Sequence, residues 1–311
     1  MAEAVRGRFA PSPSGRMHLG NVSSALLAWC SVRAQRGAMV LRLEDLDGER
    51  CKSAYSDFLI EDLQWLGLDW DEGPLTGGGC GPYRQSECGP LYEEALRTLE
   101  AKGLLYPCWC TRAQRLAAAP HGAEAAEGRC PCYALTEAER AARLAQRPRG
   151  VRVLAPDESF TVEDGLQGLF SQNLRHDCGD FLLRRSDGMW AYQLAVCVDD
   201  GRMGVTEVVR GRDLLSSTPR QMFLLRELGY EPPRYIHTPL LLAPDGRRLS
   251  KRERDLDMAA LREALTPERL VGKLAFLLGL TGREYPVTAR ELAADFNWSR
   301  VTAADAVLRG I

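Results

Sequence analysis

The sequence has no run of about 18 or more apolar residues, which excludes a transmembrane helix of ordinary length and any membrane partner that would need one. Its opening, MAEAVRGRFAPSPSG, lacks the apolar core of a secretory signal, so the chain is expected to remain cytoplasmic. Positive charge is not in excess. The formal net charge is −2, so a polynucleotide partner would have to be met by a local basic surface. Internal repeats and low-complexity tracts are absent. The glycine-rich stretch Gly73 to Gly81 is not followed by Lys-Ser/Thr, so it reads as a flexible, solvated surface loop and not as a phosphate cradle.

Against these absences stand 311 residues, 45% apolar and 26% charged, enough for one large packed domain and a smaller appendage. Ten cysteines in a cytosolic chain of this size point to metal binding or ordinary burial. Their clustering decides which. Cys108-Trp109-Cys110 and Cys130-Pro131-Cys132 are two C-x-C pairs separated by nineteen residues. Four thiolates can close a tetrahedral zinc site, and with no open position the metal would be structural. A redox dithiol more often shows C-x-x-C, and a disulfide does not suit the cytosol. Cys30, Cys51, Cys80, Cys88, Cys178 and Cys197 lack metal spacing and read as buried thiols.

Val5 to Phe9 reads as a strand, Val22 to Val32 as a helix and Ala38 to Leu43 as a second strand ending at the acidic tip Glu44-Asp45. Strand, glycine-bearing loop, helix and strand make a βαβ unit, hence an α/β fold with a Rossmann-type parallel sheet and ligands at the strands' carboxyl ends. Ser53 to Leu66, Leu91 to Lys102, Leu135 to Gln146 and Pro219 to Leu228 follow as helices. Val151 to Thr206 reads as alternating short strands and turns, with Phe181 to Arg185 and Trp190 to Val196 among the strands. Tyr235 to Leu242 is another expected strand, and the chain becomes helical beyond Asp257. Asp199 and Asp200 read as turn residues, and His176 and His237 as ordinary histidines.

Two short signatures frame this organisation. Pro11-Ser12-Pro13-Ser14-Gly15 leads into His18-Leu19-Gly20-Asn21, and Arg247-Arg248-Leu249-Ser250-Lys251-Arg252 lies more than two hundred residues on. A His-x-Gly at a helix start is often only structural, and Leu-Ser-Lys is common by chance; the ordered pair describes an ATP site built from both ends of a split fold. Attack of a carboxylate on the α-phosphate of ATP needs no protein nucleophile. It needs positioning and cancellation of phosphate charge. His18, Gly20 and Asn21 at a helix N-terminus, with Lys251 on a basic loop, suit that task.

Around these residues the chain resembles the class I aminoacyl-tRNA synthetases, and within them the glutamyl branch, from Arg8 to about Asp255. Arg8-Phe9-Ala10-Pro11-Ser12 with His18-Leu19-Gly20 resembles the first class signature and Leu249-Ser250-Lys251 the second. Leu41-Arg42-Leu43-Glu44-Asp45, Trp190 to Ala195 and Gly204 to Gly211 resemble the amino-acid pocket. The residue chemistry agrees: glutamate carries two carboxylates and one ammonium, which Arg8 and Arg210 can grip bidentately and Glu44 can pair, with hydroxyls from Tyr192 and Ser12. Surface ion pairing is the ordinary alternative for Arg210 and Glu44. Arg248 stands where the second signature often has lysine, so Lys251 is assigned the ATP role.

The resemblance implies a catalytic unit over 1–256, an acceptor-type insertion over about 104–150 holding zinc, and a helical stem-contact-like remnant over 257–311 without an anticodon reader. Tyr133 and His121 are fallback zinc ligands. About sixty residues follow Lys251. That shortness, with the cysteine insertion kept, resembles the glutamyl-queuosine tRNA(Asp) synthetases, which activate glutamate with ATP without tRNA and transfer it to queuosine in the anticodon loop of tRNA(Asp). Mg with ATP, one structural Zn and a monomer are the corresponding expectations. A short ligase charging tRNA(Glu), an inactive tRNA-binding module and a glutamylase of another acceptor are the alternatives.

Overall fold

The computed structural model describes residues 4–110, 130–145, 149–247, 249 and 257–308. Strand β1 (Arg6–Phe9) passes through helix α1 (Leu19–Ala34) to β2 (Ala38–Leu41), pairing in parallel with Arg8 opposite Val40. Helix α1 is apolar on nearly every side, with Leu26, Leu27 and Val32 all buried, because it lies between the sheet and the later helices. It runs so close to β1 that a Cβ on Gly7 would collide with Val32. Helices α2 (Ser53–Trp65) and α3 (Gly89–Ala101) follow, the latter stopped by Gly103 at φ 69°.

The middle of the chain carries β3 (Leu105–Cys108), helix α4 (Glu137–Leu144), β4 (Gly150–Val153), the hairpin β5 (Ser159–Asp164) to β6 (Gly168–Asn173), and β7 (Phe181–Arg184). Strands β3, β4 and β7 form an antiparallel sheet. Helix α5 (Tyr192–Arg202) leads back to the first sheet through β8 (Glu207–Gly211), helix α6 (Thr218–Leu228) and β9 (Arg234–Thr238). The parallel sheet therefore has the order β2-β1-β8-β9, and its winding reverses between β1 and β8. In open α/β sheets that reversal leaves a crevice at the carboxyl ends.

Beyond β10 (Leu241–Leu242), helices α7 (Met258–Ala264), α8 (Pro267–Leu277) and α9 (Ala289–Ala294) precede β11 (Ala306–Val307), which pairs with β10. Leu261, Leu270 and Leu274 enter the same core as Leu26, Leu59 and Leu63. A second core joins α3, α5 and α6 through Tyr92, Leu99, Leu194 and Phe223.

Three local expectations need correction. Trp190 to Val196 is not a strand: α5 begins at Tyr192, and Leu194 to Asp200 are buried on all sides. A continuous apolar run has no period that separates buried helix from buried strand. Tyr235 to Leu242 is not one strand, because Pro239 lacks an N–H; β9 ends at Thr238, and β10 leaves for β11. The glycine stretch is built more tightly than a loose loop. Gly73 and Gly77 exchange backbone hydrogen bonds of 3.0 and 2.8 Å, and Glu72 beside them accepts from Tyr83 at 2.5 Å and pairs with Arg6 at 2.7 Å.

Candidate active site

A cleft of about 520 Å³ opens where β1 and β8 end. Arg8, Ser12, His18, Gly20, Asn21, Glu44, Tyr192 and Arg210 all line it, so every described residue singled out for glutamate or ATP faces one cavity. Lys251, with Arg248 and Ser250, lies outside the described residues; Leu249, between them, lines the cleft.

His18 caps α1. Its Nδ1 accepts from the Gly20 N–H at 3.1 Å, and the Asn21 side-chain oxygen accepts from the His18 N–H at 3.4 Å. A neutral imidazole that accepts at Nδ1 carries its proton on Nε2, so it can donate toward an anion at the helix N-terminus. Gly20 has its own reason: a Cβ there would lie 3.0 Å from the His18 ring. The signature loop is tied to the second strand's end by the Glu44 N–H, which donates to the Pro11 carbonyl at 3.0 Å.

Beneath the cleft lies a buried charge network. Arg42, at 0% exposure, meets Asp200 at 2.7 Å and Glu44 at 3.4 Å, and Asp200 is also 3.5 Å from Arg8. Asp199 accepts from Arg202 at 3.0 Å, Gln85 at 2.9 Å and Tyr92 at 2.8 Å. Burial alone would raise Asp200, but Arg42 and Arg8 hold it below the ordinary carboxylate range. Burial pulls the Arg8 guanidinium down, with Asp200 the first group opposing it. Arg8 Nη1 donates to the Val209 carbonyl at 3.3 Å, but its buried Nε has no hydrogen-bond partner among the described residues, so an anionic ligand would complete its contacts. Glu44 is pushed up by burial, Arg42 only partly offsetting this.

Arg210 is fixed on one edge. Its Nε donates to His237 Nε2 at 3.0 Å and Nη2 to Thr218 at 2.9 Å, while Nη1 lies 3.5 Å from the Tyr192 hydroxyl. Arg8, Arg210 and Glu44 in one cleft, beside a helix N-terminus, can hold a zwitterion with two carboxylates against a polyphosphate.

Sequence reading missed part of this site. Asp199 and Asp200 are not turn residues but helical ones, buried in ion pairs with Arg42, Arg8 and Arg202. His237 is not an ordinary histidine, since it stands between Asp164 and Arg210. The only signal for them was the uncommon sight of charged residues inside apolar runs. His176 is half exposed and pairs with Asp157 at 3.1 Å.

Cys108, Cys110, Cys130 and Cys132 converge, their sulfurs all within 4.8 Å of one another and three pairs at 3.4 to 3.5 Å. A tetrahedron with metal–sulfur bonds of about 2.3 Å has edges of about 3.8 Å, so the four sulfurs fit such an ion. The hydrogen bond from Cys130, with the Cys110 backbone N–H and then the Arg152 charge, holds the Cys108 thiol below its ordinary range. Tyr133 stands against the ring of Tyr106, and His121 lies outside the described residues. Of the other cysteines Cys30, Cys88 and Cys197 are buried, whereas Cys51, Cys80 and Cys178 are only half-buried.

The chain is similar to known proteins over most of its length. The family of class I tRNA synthetases (E and Q), catalytic domain, matches residues 4–308. A glutamyl-Q tRNA(Asp) synthetase of Symbiobacterium thermophilum is 49% identical over 95% of this chain and 93% of that protein. One of Nitratidesulfovibrio vulgaris is 48% identical over 89% of this chain and 87% of its own length. The crystal structure of a glutamate tRNA ligase from Elizabethkingia meningosepticum superposes with a TM-score of 0.85 at 30% identity, covering 98% of this chain and 67% of that one. A cleft at the β1/β8 reversal, matched in sequence from end to end, means that the chain belongs to the class I tRNA synthetases (E and Q), in the branch of the glutamyl-Q tRNA(Asp) synthetases.

Proposed function

We propose that the protein activates L-glutamate with ATP without tRNA and then transfers the glutamyl group to queuosine in the anticodon loop of tRNA(Asp). The observation that carries the first step is the single cleft lined by Arg8, Arg210, Tyr192, Glu44 and the His18 cap. In it Arg8 and Arg210 receive carboxylate, Glu44 receives the ammonium, and Tyr192 and Ser12 add hydroxyl contacts. A carboxylate oxygen of glutamate attacks the α-phosphorus, the bond to the β-phosphate oxygen breaks, and pyrophosphate leaves. His18 Nε2–H, Gly20 and Asn21 at the α1 N-terminus meet the phosphates, Lys251 of the second signature is assigned the other phosphate contact, and Mg accompanies ATP. In the second step the acceptor on queuosine attacks the glutamyl carbonyl and AMP leaves. The acceptor rests on the names of the relatives that match almost the full chain.

Cys108, Cys110, Cys130 and Cys132 would hold one zinc ion, whose role is to pin β3 to the segment beyond it. The test of activation is glutamate-dependent ATP/pyrophosphate exchange without tRNA; its absence would leave a binding module. Lys251→Ala should cut that exchange about a hundredfold without changing the melting temperature. Labelled glutamate should then pass to queuosine-containing tRNA(Asp). Transfer to the 3′ end of tRNA(Glu) would make the protein a short charging ligase instead.

A further inference from the structure

We propose that Asp164 and His237 form a buried positioning pair that sets the orientation of the Arg210 guanidinium toward the substrate carboxylate. The proposal rests on the glutamate reading of the cleft. His237 has 0% exposure and its Nδ1 is 2.5 Å from Asp164 Oδ2, while Nε2 receives the Arg210 Nε–H at 3.0 Å. Only one tautomer fits both contacts. A guanidinium has no lone pair to offer, so Nε2 must accept; the ring proton then sits on Nδ1 and points at Asp164.

Asp164 is itself built to hold that orientation. It ends β5, and its carboxylate also receives the backbone N–H groups of Leu166 at 3.0 Å, Gln167 at 2.9 Å and His237 at 3.1 Å. The charged and polar groups facing His237 are Asp164 from β5, Arg210 from β8, Thr218 from α6, the stacked ring of Tyr235 on β9 itself and, more distantly, Arg8 from β1. Protonating Nε2 would set a donor and a second positive charge against Arg210. Burial and Arg210 both act to keep the imidazole neutral, against the pull of Asp164.

The result is a division of the guanidinium. Its Nε and Nη2 are committed to His237 and Thr218, which leaves the Nη1 end beside Tyr192 to meet a ligand in the cleft. A side chain locked in this way presents its Nη1 end without a search over rotamers, which is what discrimination between a carboxylate and an amide needs. The β5–β6 hairpin, remote in sequence from both signatures, thereby reaches the amino-acid pocket.

His237→Phe should raise KM for glutamate about tenfold or more in the exchange reaction and leave KM for ATP within about twofold. Its preference for glutamate over glutamine should fall by a similar factor. His237→Gln, whose amide oxygen can accept from Arg210, should recover most of both, and Asp164→Asn should fall between. Equal losses on glutamate and ATP, or no change in the glutamate KM of a folded His237→Phe protein, would overturn the assignment. Should His237→Phe not fold, Asp164→Asn and the wild-type spectrum decide. Long-range proton–nitrogen correlation of the wild-type imidazole should show Nδ1 protonated and Nε2 bare at about pH 8, above the ordinary histidine value of about 6.5. An Nε2-protonated ring refutes the pair whether or not exchange is seen, whereas absent wild-type exchange with the expected tautomer would count against the glutamate reading alone.

Discussion

Arg262 donates to Asp62 at 2.9 Å across 200 residues of sequence, and Arg16 reaches the same carboxylate oxygen at 3.4 Å. Asp62 is wholly buried on α2, Arg16 belongs to the signature loop and Arg262 to α7. The Met258 N–H, donating to the Met17 carbonyl at 3.1 Å, closes the same junction. One carboxylate thus joins the segment before His18 to the helix that follows the second signature.

Asp62→Ala should therefore cost stability and ATP handling together. Breaking a fully buried pair costs about 3 to 5 kcal/mol, but both arginines reach solvent, so about 2 kcal/mol is expected. Urea titration measures it, and KM for ATP should rise while KM for glutamate changes less. A loss below about 0.5 kcal/mol, the size of an ordinary surface substitution, would show that the junction is held by apolar packing.

Asp200 gives a pH signature. Its folded value is depressed below the unfolded carboxylate value of about 3.9, so its stabilisation is present above that pH and is lost as pH falls through the folded value. Asp200→Asn should cost about 3 kcal/mol at pH 7, because it takes from the buried Arg42 its nearest carboxylate and removes the carboxylate that faces Arg8. The gap to wild type should narrow below about pH 4 as the wild-type carboxylate takes up its proton. A gap independent of pH would mean that shape, not charge, is what the asparagine lacks.

How much of this was legible follows from distance along the chain. His18, Gly20 and Asn21 interact within three residues, and their pattern survives in the sequence as a motif. Glu44 was visible because a strand ends in an acidic tip, and the cysteines because two closely spaced C-x-C pairs suit convergence on one point, which the four sulfurs show. Asp199, Asp200 and His237 were not. Asp200 and His237 acquire their roles from charged partners at least 27 residues away, Arg210 being the nearest; Asp199 pairs locally with Arg202, but its other partners, Gln85, Tyr92 and Arg42, lie more than a hundred residues back, and all three sit in apolar runs whose period is silent. Composition marks a buried charge as unusual but cannot name what neutralises it; only the crossing of β1, β8 and α5 does that. The break at Pro239 could have been read, since a residue without an N–H seldom continues a central strand.

The cysteine cluster predicts a local metal dependence. Cys108, Trp109 and Cys132 form a small core of their own with Tyr106, separate from the two main cores. Purified protein should contain one equivalent of zinc. A strong chelator should release it, abolish hydrogen-exchange protection of β3 and leave that of β1 and β8 intact. Cys132→Ser should do the same. Because this cluster lies away from the cleft, exchange without tRNA should fall by less than about twofold, while transfer to tRNA is lost. Metal-free protein with an ordered insertion would show that thiol packing alone suffices.

Glu44 supplies the sharpest test of glutamate binding. Burial raises its carboxyl above the ordinary value of 4.5, and Arg42 and Arg8 pull against that. Pairing with an ammonium requires the ionised form. In free enzyme, kcat/KM for glutamate should then rise with pH through the raised Glu44 value and level off above it. The substrate's own γ-carboxyl ionises at about 4.3, and a Glu44 variant tells the two apart because it leaves the substrate group in place. Glu44→Gln keeps the shape and one acceptor but removes the charge. It should lower kcat/KM about a hundredfold at neutral pH, as expected for a lost charge-assisted contact in a desolvated cleft, and flatten the acid limb. If Glu44→Gln lowers the rate but keeps the limb, the titrating group lies elsewhere. Asp200 would not be the substitute, since its value is shifted the opposite way. The direction of the limb, more than the size of the loss, thus distinguishes a carboxylate that meets the ammonium from one that only props up Arg42.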